Sequence, residues 1–328
     1  MRLRPATSVL AATALAGLVA CGGPGPESAT PAAGDAVTVE NCGRQVTVAA
    51  PPQRVMVIGG EAGTLVAAAG GTERITAFAP LDDEPLGDAE AELSTRPRLP
   101  LAGSDGISRE FIVGQTPDLV VTFGLEGTTP EELESLGIPT LIVAGYCGGF
   151  GAGQSQRSGS ALEDVATDVE MIGTVLGTSE VAAAAADDLR ARVEAVRTQA
   201  TPDGRSAAAL YLAGPDSALG AYGNLGMVHE QLEIIGLSNV FGAEPERYFE
   251  PSVESLIGTA PDVVLALYQA KDITPEQVRE QVLSRPEIAG LPAVAAQDVL
   301  VLDFFYSGHG TLAVDGLEQL TAQLATLS

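Results

Sequence analysis

The sequence predicts an α/β protein of two lobes, and three observations lead to this fold class. A segment that begins at Glu110 recurs without gaps at Glu254. Strand-like apolar runs alternate with helical patterns around both copies, which is typical of parallel sheets covered by helices. A helical stretch, residues 160–200, separates the two series. We therefore expect two Rossmann-like lobes with mostly parallel sheets, joined by a single long helix.

The repeat has the same order of residue types in each copy. The copies are residues 110–121, EFIVGQTPDLVV, and residues 254–265, ESLIGTAPDVVL. Ser108 and Ser252 precede them as candidate N-caps, which places each Glu in the first turn of a short helix. Pro-Asp then ends the helix, and a β-branched run follows that is typical of a buried parallel strand.

The remaining elements follow from periodicity and capping signals. Strands are expected at 54–58, 75–78, 119–123, 140–143, 207–212, 263–267 and 299–302. Helices are expected at 63–69, from Pro130 to about 137, at 227–235, from Pro275 onward and at 316–326. Residues 160–200 are expected to form two helices that break at Gly177, the first of them bridging the lobes.

The N-terminus has the pattern of an export signal. Arg2 and Arg4 precede an apolar run at 8–20, and LVAC at 18–21 resembles a lipobox with Cys21 as the lipidated residue. The alternatives are an ordinary signal peptide or a helical anchor. The sequence thus predicts a signal peptide at 1–20, a Gly/Pro-rich tether at 21–37, lobes at 38–159 and 201–328, and bridging helices at 160–200.

Two cysteines remain if Cys21 carries lipid. An even pair in an oxidising compartment predicts a disulfide between Cys42 and Cys147. The alternative is a pair of thiols at a redox or metal site, but the chain has no C-x-x-C motif to favour it.

Charge and motifs exclude several classes of protein. With 17 Lys and Arg against 43 Asp and Glu, the formal net charge of −26 excludes nucleic-acid binding and disfavours docking to anionic lipid. The chain has two His and no phosphate loop, nucleophile elbow or zinc-protease motif. We therefore expect a binding protein rather than an enzyme, with a surface hydrolase as an alternative.

An ordered series of short motifs resembles the class III periplasmic binding proteins, which serve ABC importers of iron-siderophores, haem and cobalamin. The motifs are CGRQVTV at 42–48, PQRV at 52–55, AG at 69–70, RI at 74–75, LGIP at 136–139, IGTVLG at 172–177, GLSNVFG at 236–242 and RPEIAGLPAV at 285–294, besides the repeat. The resemblance covers residues 38–328. It implies a shallow cleft between the lobes, a helical connector and modest closure on ligand.

The resemblance also gives the repeat a role. It implies that Glu110 and Glu254 dock onto arginines of the two permease subunits. The alternative is that each Glu only complements the positive end of its own helix dipole.

Ligands of open α/β sheets bind beyond the carboxyl ends of the strands. Seven candidates are expected there: Glu61, Tyr146, Tyr222, Arg247, Tyr248, Tyr306 and His309. Glu61 and Arg247 could bind polar groups of a ligand, and the tyrosines could flank a planar ligand. For each residue the alternative is simple solvent exposure or packing. His229 and His309 are weak candidates for metal ligation, and no protein-bound metal or cofactor is expected.

The sequence therefore predicts a monomeric, lipid-anchored receptor on the outer face of the cytoplasmic membrane. It would deliver an iron chelate, a ferric siderophore, to an ABC permease dimer with its ATPase. Cobalamin, haem or another large organic cofactor is the alternative ligand. A surface hydrolase or a sensor lipoprotein without a transport role is the alternative from another class.

Overall fold

The computed structural model describes residues 36–49, 51–101, 107–148, 160–201, 204–214, 217–269 and 272–327. The expected signal peptide, the lipidation site Cys21 and residues 149–159 lie outside these ranges. None of the helices in the described ranges is long and apolar enough to cross a membrane.

The first lobe contains a hairpin and a parallel sheet. The hairpin pairs β1 (Val37–Asn41) with β2 (Arg44–Val48) in antiparallel register. The sheet has the order β4-β3-β5-β6 and is parallel throughout: β3 is Val55–Ile58, β4 Ile75–Ala79, β5 Leu119–Thr122 and β6 Thr140–Ile142. Its helices are α1 (Gly60–Ala68), α2 (Glu90–Leu93), α3 (Arg109–Gly114) and α4 (Pro130–Ser135).

The second lobe is built on a mixed sheet. Its order is β11-β10-β7-β8, with β9 also beside β7, and only β8 runs antiparallel to its neighbour: β7 is Ser206–Leu212, β8 Leu219–Ala221, β9 Ser238–Asn239, β10 Val263–Tyr268 and β11 Val299–Asp303. Its helices are α7 (Met227–Ile234), α8 (Val253–Thr259), α9 (Pro275–Ser284), α10 (Pro292–Ala296) and α11 (Leu312–Leu324).

Two helices, α5 (Ala161–Leu176) and α6 (Ser179–Gln199), connect the lobes. They break at Gly177, which has a φ of 71°, as the sequence predicts. Thr178 donates its hydroxyl proton to the Ala69 carbonyl in the first lobe. At the other lobe, Glu230 accepts hydrogen bonds from the start of α5, and Arg192 of α6 pairs with acids of α11. The connector is therefore bonded to both lobes.

The aspartates of the repeat form hydrogen bonds with the start of the neighbouring strand in each lobe. The Asp118 carboxylate accepts hydrogen bonds from the backbone N–H groups of Gln53 and Arg54, at the entry to β3. The Asp262 carboxylate accepts one from the backbone N–H of Ser206, at the entry to β7. Each aspartate thus satisfies donors that the first residues of the neighbouring strand would otherwise expose.

The α/β class with mostly parallel sheets is confirmed, and the expected strands all occur. Helices α1 and α11 begin three and four residues before their expected starts, with Gly63 and Gly316 inside them. A side chain at Gly63 would meet the Phe78 ring at 2.9 Å, and one at Gly316 would overlap the Tyr306 carbonyl. These glycines serve close packing rather than helix termination.

The disulfide between Cys42 and Cys147 is confirmed. It joins the turn of the β1–β2 hairpin to the single turn of 3-10 helix at Ala144–Tyr146, which follows β6. The bond closes a loop with a sequence separation of 105 residues and is adjacent in sequence to Tyr146. It therefore fixes the segment that carries one of the expected site residues.

Candidate ligand-binding site

A cavity of about 270 Å³ lies between the lobes, at the carboxyl ends of their strands. All four strands of the first sheet contribute to it through the residues that follow them. The lining residues are Glu61, Leu81, Glu84, Phe123 and Tyr146 from the first lobe and Tyr222, Arg247, Tyr248, Phe304 and Phe305 from the second. This is the position at which open parallel sheets bind ligands.

A chain of hydrogen bonds crosses the cavity from one lobe to the other. The Tyr146 hydroxyl donates to Glu61 Oε1 at 2.8 Å and accepts from Arg247 Nη2 at 3.1 Å. The Arg247 guanidinium also lies 4.4 Å from the centre of the Tyr146 ring, a cation–π geometry. Tyr146 thus fixes the position of the Arg247 guanidinium in the cavity.

The second oxygen of Glu61 is bonded as well. Glu61 Oε2 accepts a hydrogen bond of 2.8 Å from the backbone N–H of His309, in the second lobe. A side chain at Gly308 would overlap the Glu61 carboxylate, and one at Gly310 would meet Thr64 Oγ1 at 2.7 Å. The loop around His309 can approach α1 this closely because it has glycine on both sides of the histidine.

Burial shapes the electrostatics of the two acids in the cavity. Burial raises the pKa of Glu61, and the His309 N–H, Arg247 and Tyr146 oppose that rise. Burial, reinforced by the negative charge of Glu61, raises the pKa of Glu84 from 4.5 to about 7. The Glu84 carboxylate accepts hydrogen bonds from the backbone N–H groups of Glu61 at 3.0 Å and Leu81 at 2.9 Å.

Arg247 keeps its charge although it is partly buried. Burial disfavours the charged guanidinium, but Tyr146, Glu61 and Tyr222 stabilise it and hold the pKa of Arg247 above its ordinary value. Burial and the nearby Glu61 charge also raise the pKa of the Tyr146 phenol. Tyr146 therefore stays protonated and can donate to Glu61.

Aromatic rings form the wall of the cavity in the second lobe. Tyr248, with 44% of its surface exposed, packs edge-on against Tyr222 at 5.6 Å and against Tyr211 at 6.4 Å between ring centres. Phe304 extends the cluster by packing on Tyr211 at 5.5 Å. A side chain at Gly220 would overlap the Tyr248 ring, so the glycine makes room for it. An apolar or aromatic ligand surface can pack against this wall.

The structure brings five of the seven expected residues into this lining: Glu61, Tyr146, Tyr222, Arg247 and Tyr248. His309 is not part of this lining: it is buried behind Tyr146, with 5.2 Å between the two ring centres. Tyr306 lines a neighbouring cavity of about 500 Å³ together with Tyr268 and Asp303.

Five residues of the lining are not among the seven candidates: Leu81, Glu84, Phe123, Phe304 and Phe305. Phe123 directly follows β5, and the same strand-end rule that selected Tyr146 could have found it. Leu81 and Glu84 lie in the segment after β4, so the strand-end rule applies to them as well.

The two histidines occupy separate environments. His229 Nδ1 lies 3.4 Å from the Asn239 amide nitrogen on the second lobe, whereas His309 packs against Tyr146. Within the described ranges, no group of three or more His, Cys, Asp and Glu side chains could hold a metal ion.

Glu110 and Glu254 are both exposed in the first turns of their helices. Ser108 caps α3 by accepting from the Phe111 N–H, and Ser252 caps α8 by accepting from the Ser255 N–H. The Glu110 backbone N–H and the Arg109 guanidinium, at 3.2 Å, lower the pKa of Glu110. Both carboxylates are therefore accessible to a partner.

Comparison with known proteins gives consistent results. The family model described as periplasmic binding protein matches residues 56–306. A search of the curated proteins found no significant match. The solved structure of an ABC-type Fe3+-hydroxamate transport system protein from Saccharomonospora viridis DSM 43017 is 32% identical, with a TM-score of 0.73 over 88% of this chain and 99% of that one.

More distant structures share the fold. The periplasmic haem-binding protein HutB of Vibrio cholerae is 17% identical, with a TM-score of 0.64 over 83% of this chain and 98% of that one. The vitamin B12-binding protein BtuF of Vibrio cholerae is 19% identical, with a TM-score of 0.61 over 84% of this chain and 97% of that one. The expectation of a binding protein rather than an enzyme is confirmed. Its two-lobed fold and the match of the family model show that the chain belongs to the periplasmic binding protein family.

Proposed function

We propose that the chain captures a ferric hydroxamate siderophore outside the cytoplasm and delivers it to an ABC permease. The observation that carries this proposal is the chemistry of the cavity between the lobes. Its wall is aromatic, and the one guanidinium in its described lining, on Arg247, lies among the acids Glu61 and Glu84. The 32% identity to a protein of an Fe3+-hydroxamate transport system supports the same ligand class.

The balance of charge in the cavity separates hydroxamates from catecholates. A ferric tris-catecholate carries several negative charges, whereas the iron centre of a ferric tris-hydroxamate is neutral. Binding a multiply charged anion in a buried site requires several matching cations. Among the described residues of the lining, Arg247 is the only cation, and Glu61 already offsets its charge through Tyr146. A neutral or cationic chelate therefore fits this lining better than an anionic one.

Each part of the lining has a proposed role. Tyr222, Tyr248 and Phe304 would pack against the organic scaffold of the siderophore. Arg247 would donate to the hydroxamate oxygens around the iron, which carry most of the ligand's negative charge. Glu61 has both oxygens bonded, so it would act as a positioning residue for Tyr146 and Arg247.

Delivery would use the two exposed acids of the repeat. Glu110 and Glu254 lie on equivalent short helices of the two lobes, so a two-fold permease could bind both at once. We propose that the chain acts as a monomer tethered through lipid on Cys21. This would keep the receptor beside a permease in the same membrane and raise its effective concentration there.

Calorimetric titration of the mature protein tests the ligand class. The panel is ferrioxamine B, ferrichrome, a ferric tris-catecholate, haemin and cyanocobalamin. We expect micromolar or tighter binding of at least one ferric hydroxamate and at least a hundredfold weaker binding of the tris-catecholate. Preferential binding of haemin, cyanocobalamin or the tris-catecholate would overturn the proposed ligand class.

A pair of variants links the titration to the cavity. Tyr248→Ala removes an exposed ring from the rim, and we expect it to weaken hydroxamate binding about tenfold. Tyr268→Ala is the matched control because Tyr268 lines the neighbouring cavity instead. Equal losses in the two variants would contradict the assignment of the site.

A further inference from the structure

Exposed apolar side chains concentrate beside the two exposed acids. Six large apolar side chains in the described ranges are strongly exposed, and three of them lie on the short helices α3 and α8. These are Val113 at 38%, Val253 at 39% and Ile257 at 44% exposure. Helix α3 has 6 residues and α8 has 7, so this concentration is unusual for solvated helices.

Each helix presents its acid and an aliphatic side chain on one face. Val113 follows Glu110 by three residues, and Ile257 follows Glu254 by the same spacing. Residues three apart on a helix are neighbours on its surface. Nothing lies within 4 Å of the position of a side chain at the next residue, Gly114 or Gly258. A partner can therefore approach the backbone of both helices closely.

The two faces differ in charge at the residue that precedes each acid. In α3, Arg109 precedes Glu110 and its guanidinium pairs with the carboxylate at 3.2 Å. In α8, the exposed Val253 takes that position, and no ion pair to Glu254 occurs within the described ranges. The first-lobe patch is thus an acid already paired with a cation, plus one aliphatic side chain. The second-lobe patch, Val253, Glu254 and Ile257, is an unpaired acid between two aliphatic side chains.

We propose, on the basis of the proposed function, that the second-lobe patch is the principal contact with the permease. Its occupant would be a permease loop that presents a guanidinium beside an apolar side chain. A permease guanidinium gains more binding energy from Glu254 than from Glu110, because Arg109 already pairs with the Glu110 carboxylate. Two aliphatic side chains also bury more apolar surface than Val113 alone. A two-fold permease would therefore bind the two lobes with unequal strength.

Uptake measurements compare the two patches directly. The full chain and its variants replace the chromosomal copy in the source organism, and cells receive ferrioxamine B loaded with radioactive iron. We expect the double variant Val253→Ser and Ile257→Ser to lower uptake at limiting receptor at least tenfold, and Val113→Ser no more than threefold. Val181→Ser is the matched control: Val181 lies on the connector and is 54% exposed, more than any of the aliphatic patch residues, and its replacement should leave uptake unchanged.

A gain of function tests the role of Arg109. Arg109→Val converts the first-lobe patch into the second-lobe type, so it should restore at least half of the uptake lost in the Val253→Ser and Ile257→Ser double variant. Equal losses at both patches, or a further decrease on adding Arg109→Val, would overturn the inference. All variants should keep the wild-type affinity for ferrioxamine B in calorimetry, because the patches lie on α3 and α8, outside the cavity lining.

The proposed function fails in a different way from the inference. Wild-type cells that take up neither ferrioxamine B nor ferrichrome, or normal uptake with Glu110→Ala and Glu254→Ala combined, would contradict the proposed function and the inference together. Loss of uptake in that double acid variant with equal effects of the apolar variants would contradict the inference alone.

Discussion

Removal of one hydroxyl group tests the hydrogen-bond chain across the cavity. Tyr146→Phe deletes the donor to Glu61 and the acceptor for Arg247, but it keeps the ring that packs on Arg247, Phe123 and His309. The variant therefore isolates the hydrogen bonds from the packing of the ring.

The expected magnitude follows from burial and charge. Glu61 is 7% exposed and would lose one of its side-chain partners, while the His309 N–H remains. A hydrogen bond to a buried charged group contributes about 1.5–3 kcal/mol. We expect the free energy of unfolding to fall by about 2 kcal/mol, since protonation of Glu61 can relieve part of the loss.

Urea denaturation followed by far-ultraviolet circular dichroism measures this change, since the chain has no Trp for fluorescence. Tyr268→Phe is the matched control, because Tyr268 is only partly buried and belongs to the neighbouring cavity. A loss for Tyr146→Phe below about 0.5 kcal/mol, the range of ordinary surface substitutions, would refute the reasoning.

Three further predictions concern stability. The pKa of Glu84 is about 7 in the folded protein instead of 4.5, so the folded protein retains a proton that the unfolded chain releases. The free energy of unfolding should therefore fall as pH rises from about 4.5 to 7. Glu84→Gln should reduce this pH dependence, measured by denaturation at a series of pH values. Replacing Cys42 and Cys147 by Ala should lower the free energy of unfolding by up to about 4–5 kcal/mol, measured against the oxidised wild type; an unchanged midpoint would contradict it. Gly308→Ala should lower the thermal midpoint because its side chain overlaps Glu61, whereas Gly114→Ala, with open space around it, should not.

Local signals in the sequence predict the framework well. The capping box of Thr129 and Glu132 at the start of α4 depends only on neighbouring residues, so the local sequence reveals it. The β1–β2 hairpin was missed although its alternating pattern is visible, because the turn uses Cys42 at a φ of 52° before a glycine. That left-handed conformation is uncommon for a residue other than glycine or asparagine.

The site was harder to predict because it depends on side-chain direction. The sequence places Phe304, Phe305 and Tyr306 at the end of β11, but a turn of 3-10 helix spreads consecutive side chains over different directions. Phe304 and Phe305 therefore line the cavity, and Tyr306 lines its neighbour. Similarly, nothing in the sequence around Glu61 shows that its carboxylate accepts a hydrogen bond from a backbone N–H group 248 residues away.

The helical connector also affects how much of the ligand's binding energy goes into moving the lobes. Helices α5 and α6 are bonded to both lobes, and the loop at 308–311 is bonded directly to α1 through Glu61 and Thr64. Little of the energy of binding then has to be spent on moving the lobes, so the affinity is set mainly by contacts already in place. The same stiffness opposes spontaneous opening and should make the bound state long-lived. Under the proposed function, release would require work on the connector, applied by the permease through its contacts with α3 and α8.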